Sequence, residues 1–464
     1  MQLPGAWTQL RREILSEIKP TKGEQEELAA FLSRLRSGLV KALEEAGIDS
    51  EVEIHGSVAR DTWLRGQRDI DAFIILKPEA VRSDLLRVNE VVKGYVGPGW
   101  IEAYAEHPYV KKIVEGFEVE FVPCFKAEEG KRIASAADRT PLHTGYILDH
   151  LSESQRDEVR LLKMFTKGIG VYGAEIKVGG FSGYLCELLV IAYGSFEELT
   201  WAAQDWREHE VIQLNKAVKP GKFNEPIIVI DPVDSNRNVA SAVTETVLWT
   251  FVAAARAFVE KPERKFFVPV IRDVPDDLPK QLAERGVDVI FVHVPDRDPP
   301  VPDTLWGQLY KTEKAFGRAL GERGFKVLRS ATWSDEEKRH IFVYEIESMV
   351  LPPVVKKMGP PVSLLKDSKD FLNAYMGSQE VVSGPGIEGG RWWVEVKRKN
   401  ALSRVDLKKT LVRDCEEHGV PKRLAAILRK HGSVMINDEI EAQLTGRFTF
   451  LLEGFLRGRP DWLG

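Results

Sequence analysis

HGSVARDTWLRGQRDIDAFIIL, residues 55–76, places a Gly-Ser corner ahead of two aspartates and a run of apolar residues. Because successive side chains of a β-strand point to opposite faces, Asp69 and Asp71 project from one face and Ile70 and Ala72 from the other. Two carboxylates this close repel each other unless a cation lies between them. Oxygen ligands with no His or Cys next to them in the sequence suit magnesium better than zinc. The stretch therefore predicts a magnesium site at the end of a strand.

Asp-x-Asp pairs are also common in solvated turns and strand ends, so the flanking residues decide between the two interpretations. IDAFIIL, residues 70–76, continues as a buried strand, which places the acids at the end of an interior element. Gly56 and Ser57 precede a short helical pattern, SVARDTWL, and the free N–H groups at a helix N-terminus attract anions. The pattern predicts that a phosphate group and a metal ion meet at one place.

A second acidic strand is predicted at GFEVEFVPCF, residues 116–125. Glu118 and Glu120 share one face of this strand and apolar residues occupy the other. We expect the strand to end at Pro123, because proline has no N–H to donate within a sheet. Either glutamate is able to complete a triad with the two aspartates.

The composition describes an ordinary soluble protein. The chain has 464 residues, 43% hydrophobic and 29% charged, and this length predicts about three domains. The N-terminal MQLPGAWTQLRREIL lacks the apolar block of a signal peptide and no apolar run reaches membrane-spanning length, so we expect a cytoplasmic protein with no membrane partner. Three cysteines without CxxC spacing argue against a disulfide framework and against a zinc cluster.

The C-terminal third carries a basic segment. Residues 397–430 hold eleven Lys or Arg against four Asp or Glu, and Trp392 and Trp393 lie just before them. A charge run is often only a solvated helix face. Aromatic and guanidinium planes stack on bases, so the neighbouring tryptophans favour RNA as a partner.

Hydrophobic periodicity predicts the remaining elements. The pattern indicates an amphipathic helix over 24–47, a strand over 51–55, helices from about 151 with Ser182 as an N-cap, a short buried strand in EPIIVIDPVDSNRNVA, a helix over 240–259, a helix over 305–323, strands over 325–333 and 340–347, and a helix ending near KKMGPP. A Pro-rich loop over 294–303 separates the last group from the rest. The order of elements predicts an α+β protein.

An ordered set of motifs covers most of residues 20–400. They are GSVARDTWL, DIDAFIIL, YAEHPYV, VEFVPCF, SAADRTPLH, EVRLLKMFTKGIGVYGAE, GFSGYLCELL, DPVDSNRNVA, LRSA and RWW. In this order they resemble the archaeal-type (class I) CCA-adding enzymes, tRNA nucleotidyltransferases of the polymerase-β-like superfamily. The resemblance implies a nucleotidyltransferase head with a mixed sheet and an N-terminal amphipathic helix over 1–150, a helical base-reading domain over 151–275, and a C-terminal α+β tRNA-binding region over 276–464.

The same resemblance implies a catalytic triad that binds two Mg²⁺ ions. Asp69 and Asp71 match the first two carboxylates and Glu120 the third. The family usually has Asp at the third position, and the longer side chain here leaves open whether Glu120 is a metal ligand or a base. Glu118 remains an alternative for the third carboxylate.

Other residues correspond to nucleotide and primer contacts of the family. The nucleotide-binding set is Gly56, Ser57, Arg60, His143, Lys163, Tyr172, Arg237 and Asn238, and Glu106 with His107 correspond to the primer end. Simpler roles stay open from the residues alone: Ser57 as a helix cap, His143 as a surface residue, Lys163 on a solvated helix face, Tyr172 filling a turn, and Arg237 paired with Asp231 or Asp234.

The resemblance implies template-independent addition of C, C and A to the tRNA 3′ end from CTP and ATP, with release of pyrophosphate. A poly(A)-polymerase-like transferase shares the acidic residues, and a non-catalytic RNA-binding scaffold shares the fold. DPVDSNRNVA and RWW favour the CCA family over the first alternative, and the intact acids count against the second. A homodimer is also left open.

Overall fold

The computed structural model describes residues 5–104, 108–126, 136–214, 223–269, 277–398 and 404–464. The chain divides into two compact units, Met1–Ile271 with Pro460–Gly464, and Arg272–Arg459. The α+β fold class is confirmed. The division into three domains at residues 150 and 275 stays a prediction. No helix of the described ranges is both long and apolar enough to cross a membrane.

The first unit holds most of the predicted motifs. Its elements are α1 (Ala6–Ile18), α2 (Lys22–Glu45), β1 (Ser50–His55), α3 (Gly56–Ala59), β2 (Asp69–Leu76), α4 (Arg82–Val96), β3 (Ile101–Tyr104), β4 (Pro108–Val114), β5 (Phe117–Phe125), α5 (Ala136–His150), α6 (Glu153–Gly168), α7 (Gly183–Tyr193), α8 (Phe196–Ala203), β6 (Glu210–Ile212), β7 (Ile227–Val229) and α9 (Glu245–Glu260). Short 3-10 turns follow at Arg264–Phe266 and Asp461–Leu463.

A five-stranded mixed sheet forms the head, in the order β1-β2-β5-β4-β3. β2 and β5 run parallel and every other neighbouring pair is antiparallel. Ile70, Ala72 and Ile74 of β2 pack in one core with the apolar residues of α2 and α4. Phe73 and Ile75 point to the other face and pack in a smaller cluster that α5 touches. The alternation predicted for this strand therefore separates a helix-covered face from the face that carries the acids.

The predicted amphipathic helix is α2. It begins two residues earlier than expected because Thr21 and Glu24 form a capping box, in which Thr21 Oγ1 accepts from the Glu24 N–H at 3.2 Å and Glu24 Oε2 accepts from the Thr21 N–H at 2.8 Å. Leu28, Phe31 and the apolar residues at helical spacing beyond them are buried against the sheet.

The helix predicted over SVARDTWL is much shorter than its pattern. α3 covers only four residues, and the chain then turns because Asp61 adopts a φ of +50°. A residue with positive φ cannot continue a right-handed helix. The turn is closed by the Thr62 N–H, which donates to Ser57 O at 2.9 Å. Ser57 does not cap α3, whose N-cap position is His55.

The expectation that β5 ends at Pro123 is wrong. The strand continues to Phe125, with Pro123 opposite Ile74 of β2. β4 pairs with β5 only as far as Phe121, so the later part of β5 has one neighbour. Proline is tolerated where a strand lies at an edge, because no ladder hydrogen bond is lost on that side.

Helices α6 to α9 and α1 surround a second core in the first unit. Phe165 lies at its centre, within 5.4–6.0 Å of five other phenylalanine rings. The predicted N-cap of α7 is confirmed, since Ser182 Oγ accepts from the Leu185 N–H at 3.1 Å. The helix expected over 240–259 is α9, which starts at the Thr244 cap.

The second unit contains two antiparallel sheets. Its elements are α10 (Leu278–Glu284), β8 (Asp288–Pro295), α11 (Pro302–Glu322), β9 (Val327–Ser334), β10 (Arg339–Ile346), β11 (Val354–Pro361), α12 (Leu365–Tyr375), β12 (Val381–Glu388), β13 (Arg391–Lys397), α13 (Arg404–Lys408), α14 (Lys422–His431), β14 (Ser433–Ile436) and α15 (Gly446–Arg457). The sheet orders are β14-β8-β10-β9 and β11-β13-β12. α11 and α14 cover one face of the four-stranded sheet, and α10 and α15 the other.

The prediction of a helix that ends near KKMGPP is wrong, because that segment is strand β11. Residues 354–358 pair with β13, and the two prolines that follow supply no N–H groups for the end of a helix. Val354 and Val355 are β-branched and suit an extended chain. The cross-strand partner that selects this conformation lies about forty residues away in the sequence, opposite Val354 at Lys397.

The end of α6 gives a stability prediction. A Cβ at Gly168 would lie 2.3 Å from Phe266 O and 2.7 Å from the Phe267 carbonyl carbon, and both are backbone atoms. We expect Gly168→Ala to lower the free energy of unfolding by about 1–3 kcal/mol, because the backbone at the 3-10 turn must move.

Gly145 in α5 is the matched control, since a Cβ there meets nothing within 4 Å. Gly145→Ala should raise stability by about 0.5–1 kcal/mol through helix propensity alone. Denaturant unfolding measures both, and equal shifts for the two variants would contradict the packing argument.

Candidate active site

Four carboxylates lie in register at the start of β2 and β5. The parallel pairing places Asp69 opposite Glu118 and Asp71 opposite Glu120. All four occupy strand positions of one parity, so their side chains leave the sheet on the face that α2 and α4 do not cover. Asp71 and Glu120 are partly buried, whereas Asp69 and Glu118 are exposed. The inner pair therefore has the more restricted surroundings.

Gly56 is the residue that makes room for Asp71. It adopts a φ of +68°, and a Cβ placed on it would lie 1.8 Å from Asp71 Oδ2 and 2.9 Å from Asp71 Cγ. His55 is the register partner of Asp71 across β1 and β2, so the corner folds directly over that carboxylate. Only glycine satisfies both the backbone conformation and the contact.

The like charges change the acidity of Asp71. Burial raises the pKa of Asp71 from 3.8 to about 6, the negative charge of Glu120 adds to this rise, and the cationic Arg60 partly opposes it. A carboxyl group in these surroundings favours either a proton or a cation. Lys111 of β4 supplies one positive charge, because its ammonium forms an ion pair with Glu120.

The donor chemistry of this cluster fits magnesium. The four groups offer only oxygen, and the repulsion from Glu120, which adds to the effect of burial on the pKa of Asp71, is relieved by a divalent ion. Within the described residues, no three acidic, His or Cys side chains are arranged to hold a metal ion. Glu120 is turned to Lys111 in this arrangement.

A buried charge cluster lies between the corner and helices α6 and α7. Arg60 Nε lies 2.9 Å from Glu187 Oε2, and Lys163 Nζ lies 3.7 Å from Glu187 Oε1. Lys163 Nζ also donates to Thr62 O at 3.0 Å and to Thr62 Oγ1 at 3.1 Å. Burial lowers the pKa of Lys163, and the Glu187 carboxylate acts in the opposite direction. The structure therefore places Arg60 and Lys163, two cations of the predicted nucleotide-binding set, against one carboxylate.

A second cluster joins α5 to the turn after β7. His143 Nε2 lies 3.0 Å from Asp231 Oδ2, and Arg237 donates to the same oxygen at 2.8 Å. The His143 ring stacks on Tyr184 with centroids 4.1 Å apart. Burial alone would raise the pKa of Asp231, but the hydrogen bonds from His143 and Arg237 outweigh it and hold that pKa below its ordinary value. The side chain of Arg237 remains 35% exposed.

The side chain of Asn238 is not exposed in the way that the side chain of Arg237 is. Its side-chain oxygen accepts from the N–H groups of Val229 and Ala240 at 2.9 Å, and its amide nitrogen donates to Ile227 O at 3.0 Å. The residue is buried. These bonds hold the turn after β7, and they do not favour the nucleotide contact that is predicted for Asn238.

Tyr172 lies close to the end of α6. It forms a β-bridge with Phe181, and Lys167 Nζ sits 5.0 Å from the centroid of its ring. A Cβ on Gly183 would come within 3.2 Å of the Tyr172 hydroxyl and 3.5 Å of Lys163 Cε, so Gly183 keeps this space small. Burial raises the pKa of Tyr172. Glu106 and His107, expected at the primer end, lie outside the described residues.

Several residues of this site were not predicted from the sequence. Glu187, Thr62 and Lys111 carry or satisfy its charges, yet Glu187 and Lys111 lie inside elements whose pattern indicates only packing, and Thr62 lies in the turn after α3. Glu187 did carry one signal, because it is the single acidic residue in the apolar run GYLCELLVIAY of α7.

Three family models match successive parts of the chain. They are a nucleotidyltransferase domain over residues 36–143, the second domain of tRNA nucleotidyltransferase over 157–268, and the C-terminal domain of the CCA-adding enzyme over 285–437. The matches fall in this order along the chain and leave only short segments between them.

Curated relatives agree with these models. The CCA-adding enzyme of Pyrobaculum neutrophilum is 42% identical over 393 residues, which is 83% of this chain and 90% of that protein. The CCA-adding enzyme of Methanothermobacter thermautotrophicus is 36% identical over 449 residues, 96% of this chain and 97% of its own length. That of Halobacterium salinarum is 39% identical over 402 residues, 85% of this chain and 88% of that protein. Over nearly its whole length, the chain belongs to the archaeal-type CCA-adding enzymes.

Proposed function

We propose that this chain adds C, C and A to the 3′ end of tRNA without a nucleic-acid template, using CTP and ATP and releasing pyrophosphate. The observation that carries the proposal is the register of β2 and β5, which sets Asp71 beside Glu120 under the Gly56 corner. Family membership over most of the chain supports the choice of tRNA and of these nucleotides. In the reaction, the RNA 3′ oxygen attacks the α-phosphorus of the nucleotide and pyrophosphate is the leaving group.

Asp69, Asp71 and Glu120 would hold the two magnesium ions, with Glu118 as the alternative third ligand. When bound there, magnesium would lower the pKa of the attacking hydroxyl and offset the charge of the triphosphate. Gly56 keeps Asp71 in place. Ser57 at the corner and Tyr172 by α6 are proposed contacts of the nucleotide, and Arg60 supplies positive charge beside Asp71.

For base selection we propose Arg237. Cytosine and adenine both present a ring-nitrogen acceptor beside an exocyclic amine, whereas uracil and guanine present a ring N–H there. Asp231 binds one end of the guanidinium and so fixes it, while the partly exposed remainder keeps N–H donors for a base. His143 shares the Asp231 oxygen and therefore helps to orient the arginine.

The basic segment 397–430 is the proposed tRNA surface. Three of its arginines are already engaged: Arg398 with the Pro352 carbonyl, Arg423 with Asp296, and Arg429 with Glu416. Exposed cations on this segment, Lys397, Lys408, Lys409, Arg413, Lys422 and Lys430, supply positive charge for RNA phosphates.

The function is tested with a tRNA transcript that ends at its discriminator base. The protein is incubated with this RNA, magnesium, CTP and ATP, and the product ends are sequenced. Products that are extended by CCA and by no further nucleotide would support the proposal. Long A tails would identify a poly(A)-polymerase-like enzyme instead, and RNA binding without growth would identify a scaffold.

The Gly56 contact gives a sharp prediction. Gly56→Ala should lower kcat by about 100-fold, because a methyl group displaces the Asp71 carboxylate and small misplacements at a reacting centre have effects of that order. Gly66→Ala is the matched control: Gly66 has a φ of +77° and a Cβ there meets nothing within 4 Å. Both variants bear similar backbone strain, so comparable losses of kcat would refute a specific role for the contact.

Asp71→Asn separates stability from activity. The folded pKa near 6 lies above the ordinary value of 3.8, so in metal-free protein the stability falls as the pH rises from about 4, and the full loss is present above pH 6. We expect Asp71→Asn to raise Tm at pH 8, to have little effect on Tm below about pH 4, where the carboxyl group is protonated in both the folded and the unfolded chain, and to abolish transfer. Thermal unfolding without metal at both pH values and a turnover assay measure this, and near-normal turnover would exclude Asp71 as a metal ligand.

Arg237→Ala should reduce discrimination by roughly 5- to 100-fold, the equivalent of about 1–3 kcal/mol for a donor that the wrong base covers and leaves unpaired. The kcat/KM for CTP and ATP should fall towards that for UTP. Arg139→Ala is the control, since Arg139 pairs with Asp234 of the same turn at 3.1 Å and has no proposed base contact. A stable Arg237→Ala enzyme that still excludes UTP and GTP would contradict the assignment.

A further inference from the structure

His55 is a buried histidine beside the acidic cluster. It is the last residue of β1, is 3% exposed and lies opposite Asp71 in the register of β1 and β2, so its ring leaves the sheet on the face that carries the acids. The ring meets the Phe73 ring edge-on, with centroids 5.0 Å apart. Burial, together with the charge of Arg60, lowers the pKa of His55 to about 4. The imidazole is therefore neutral near pH 7, and its contact with Glu53, 3.2 Å from Nε2, is not an ion pair there.

His55 is joined to α5 by a buried hydrogen bond. Its Nδ1 and the Thr144 Oγ1 lie 3.1 Å apart, and Thr144 is buried in the second half of that helix. Near the start of α5, the buried Asp138 accepts from the Phe125 N–H at 2.9 Å. These two bonds connect α5 to β1 and β5, the strands on either side of β2. The helix is thus fixed to the strands that flank the aspartates.

The same turn of α5 reaches the proposed base-selecting residue. His143 directly precedes Thr144, and its Nε2 lies 3.0 Å from the Asp231 oxygen to which Arg237 donates. Neighbouring residues of one helix keep a constant separation, because the backbone hydrogen bonds fix the helical rise. α5 therefore connects the acidic cluster, through Thr144, with the Arg237 turn, through His143.

We propose that His55 is a positioning residue that sets the separation between the acidic cluster and the Arg237 turn, acting through Thr144 and α5. The inference rests on the proposed function and extends it to a residue for which no contact with nucleotide or metal is proposed. A nucleotide whose base is bound at Arg237 has its α-phosphorus placed beside the acids only when this separation is correct. A nucleotide whose base is not bound there gains nothing from it.

Addition of one nucleotide to the same tRNA end, with CTP and separately with UTP, tests the proposal. Thr144→Val removes the hydroxyl and keeps the shape of the side chain, and His55→Phe keeps a ring against Phe73 but removes Nδ1. Each should lower kcat for CTP about tenfold and change kcat for UTP by less than about twofold, because only a bound base depends on the separation. Thr144→Ser, which keeps the hydroxyl, should restore most of the CTP rate.

The double variant and a control make the test specific. Thr144→Val combined with His55→Phe should lose no more activity than either change alone, because both remove the same hydrogen bond. Gly145→Ala, at the next residue of α5, should leave both rates unchanged, since a Cβ there meets nothing within 4 Å. The proposal is overturned if CTP and UTP rates fall equally, if both rates are kept in the single variants, or if the two single losses multiply in the double variant.

Amide hydrogen exchange separates this proposal from the proposed function. Residues 143–147 should exchange faster in Thr144→Val and His55→Phe than in Gly145→Ala, because α5 has lost a bond to β1. If the unmodified protein fails to extend the tRNA transcript while exchange differs in this way, the proposed function fails and the positioning of α5 by His55 stands. Unchanged exchange in both variants would overturn the positioning of α5 whatever the activity of the protein.

Discussion

The contact between Gly56 and Asp71 is the constraint on which the rest of the site depends. A carboxylate of raised pKa sits where a Cβ would be, so the corner, β1 and β2 have to meet with almost no tolerance. The parallel pairing with β5 then decides that Glu120, and no other residue of that strand, lies opposite Asp71. In the proposed function, this unfavourable concentration of charge is what gives the cluster its affinity for a cation.

The charges around this point are balanced by three different elements. Lys111 on β4 neutralises Glu120, while Arg60 at the corner and Lys163 on α6 share Glu187 of α7. Glu187 therefore links the head to the helices that follow it through one fully buried carboxylate. A buried ion pair of this kind adds little net stability, but it specifies how the partners fit, because any displacement leaves a charge unpaired. A site for nucleotide transfer depends on such accurate positioning of its side chains.

In the turn after β7, some residues stabilise the backbone and others keep groups available for a ligand. The side chain of Asn238 forms hydrogen bonds only to backbone groups of this turn. One carboxylate oxygen of Asp231 contacts both His143 and Arg237. Neighbouring residues in the sequence thus have different structural roles. Asn238 stabilises the loop, and Arg237 keeps N–H donors exposed on the surface of the protein. A motif match alone cannot distinguish these two roles, because it identifies the matching residues and not the hydrogen bonds that they form.

Local pattern by itself determined much of this protein. The alternation in residues 69–76 identified the strand and its acidic face, the helical spacing in α2 identified a core helix, and Ser182 identified the start of α7. These signals depend on neighbours within a few residues. Only the tertiary structure decided what depends on distant partners: that KKMGPP is a strand paired with β13, that β5 runs through Pro123, and that Lys163 is bound by Glu187. The physical reason is that a strand's hydrogen bonds and a buried ion's counter-charge come from segments far away in the chain, and no local periodicity encodes them.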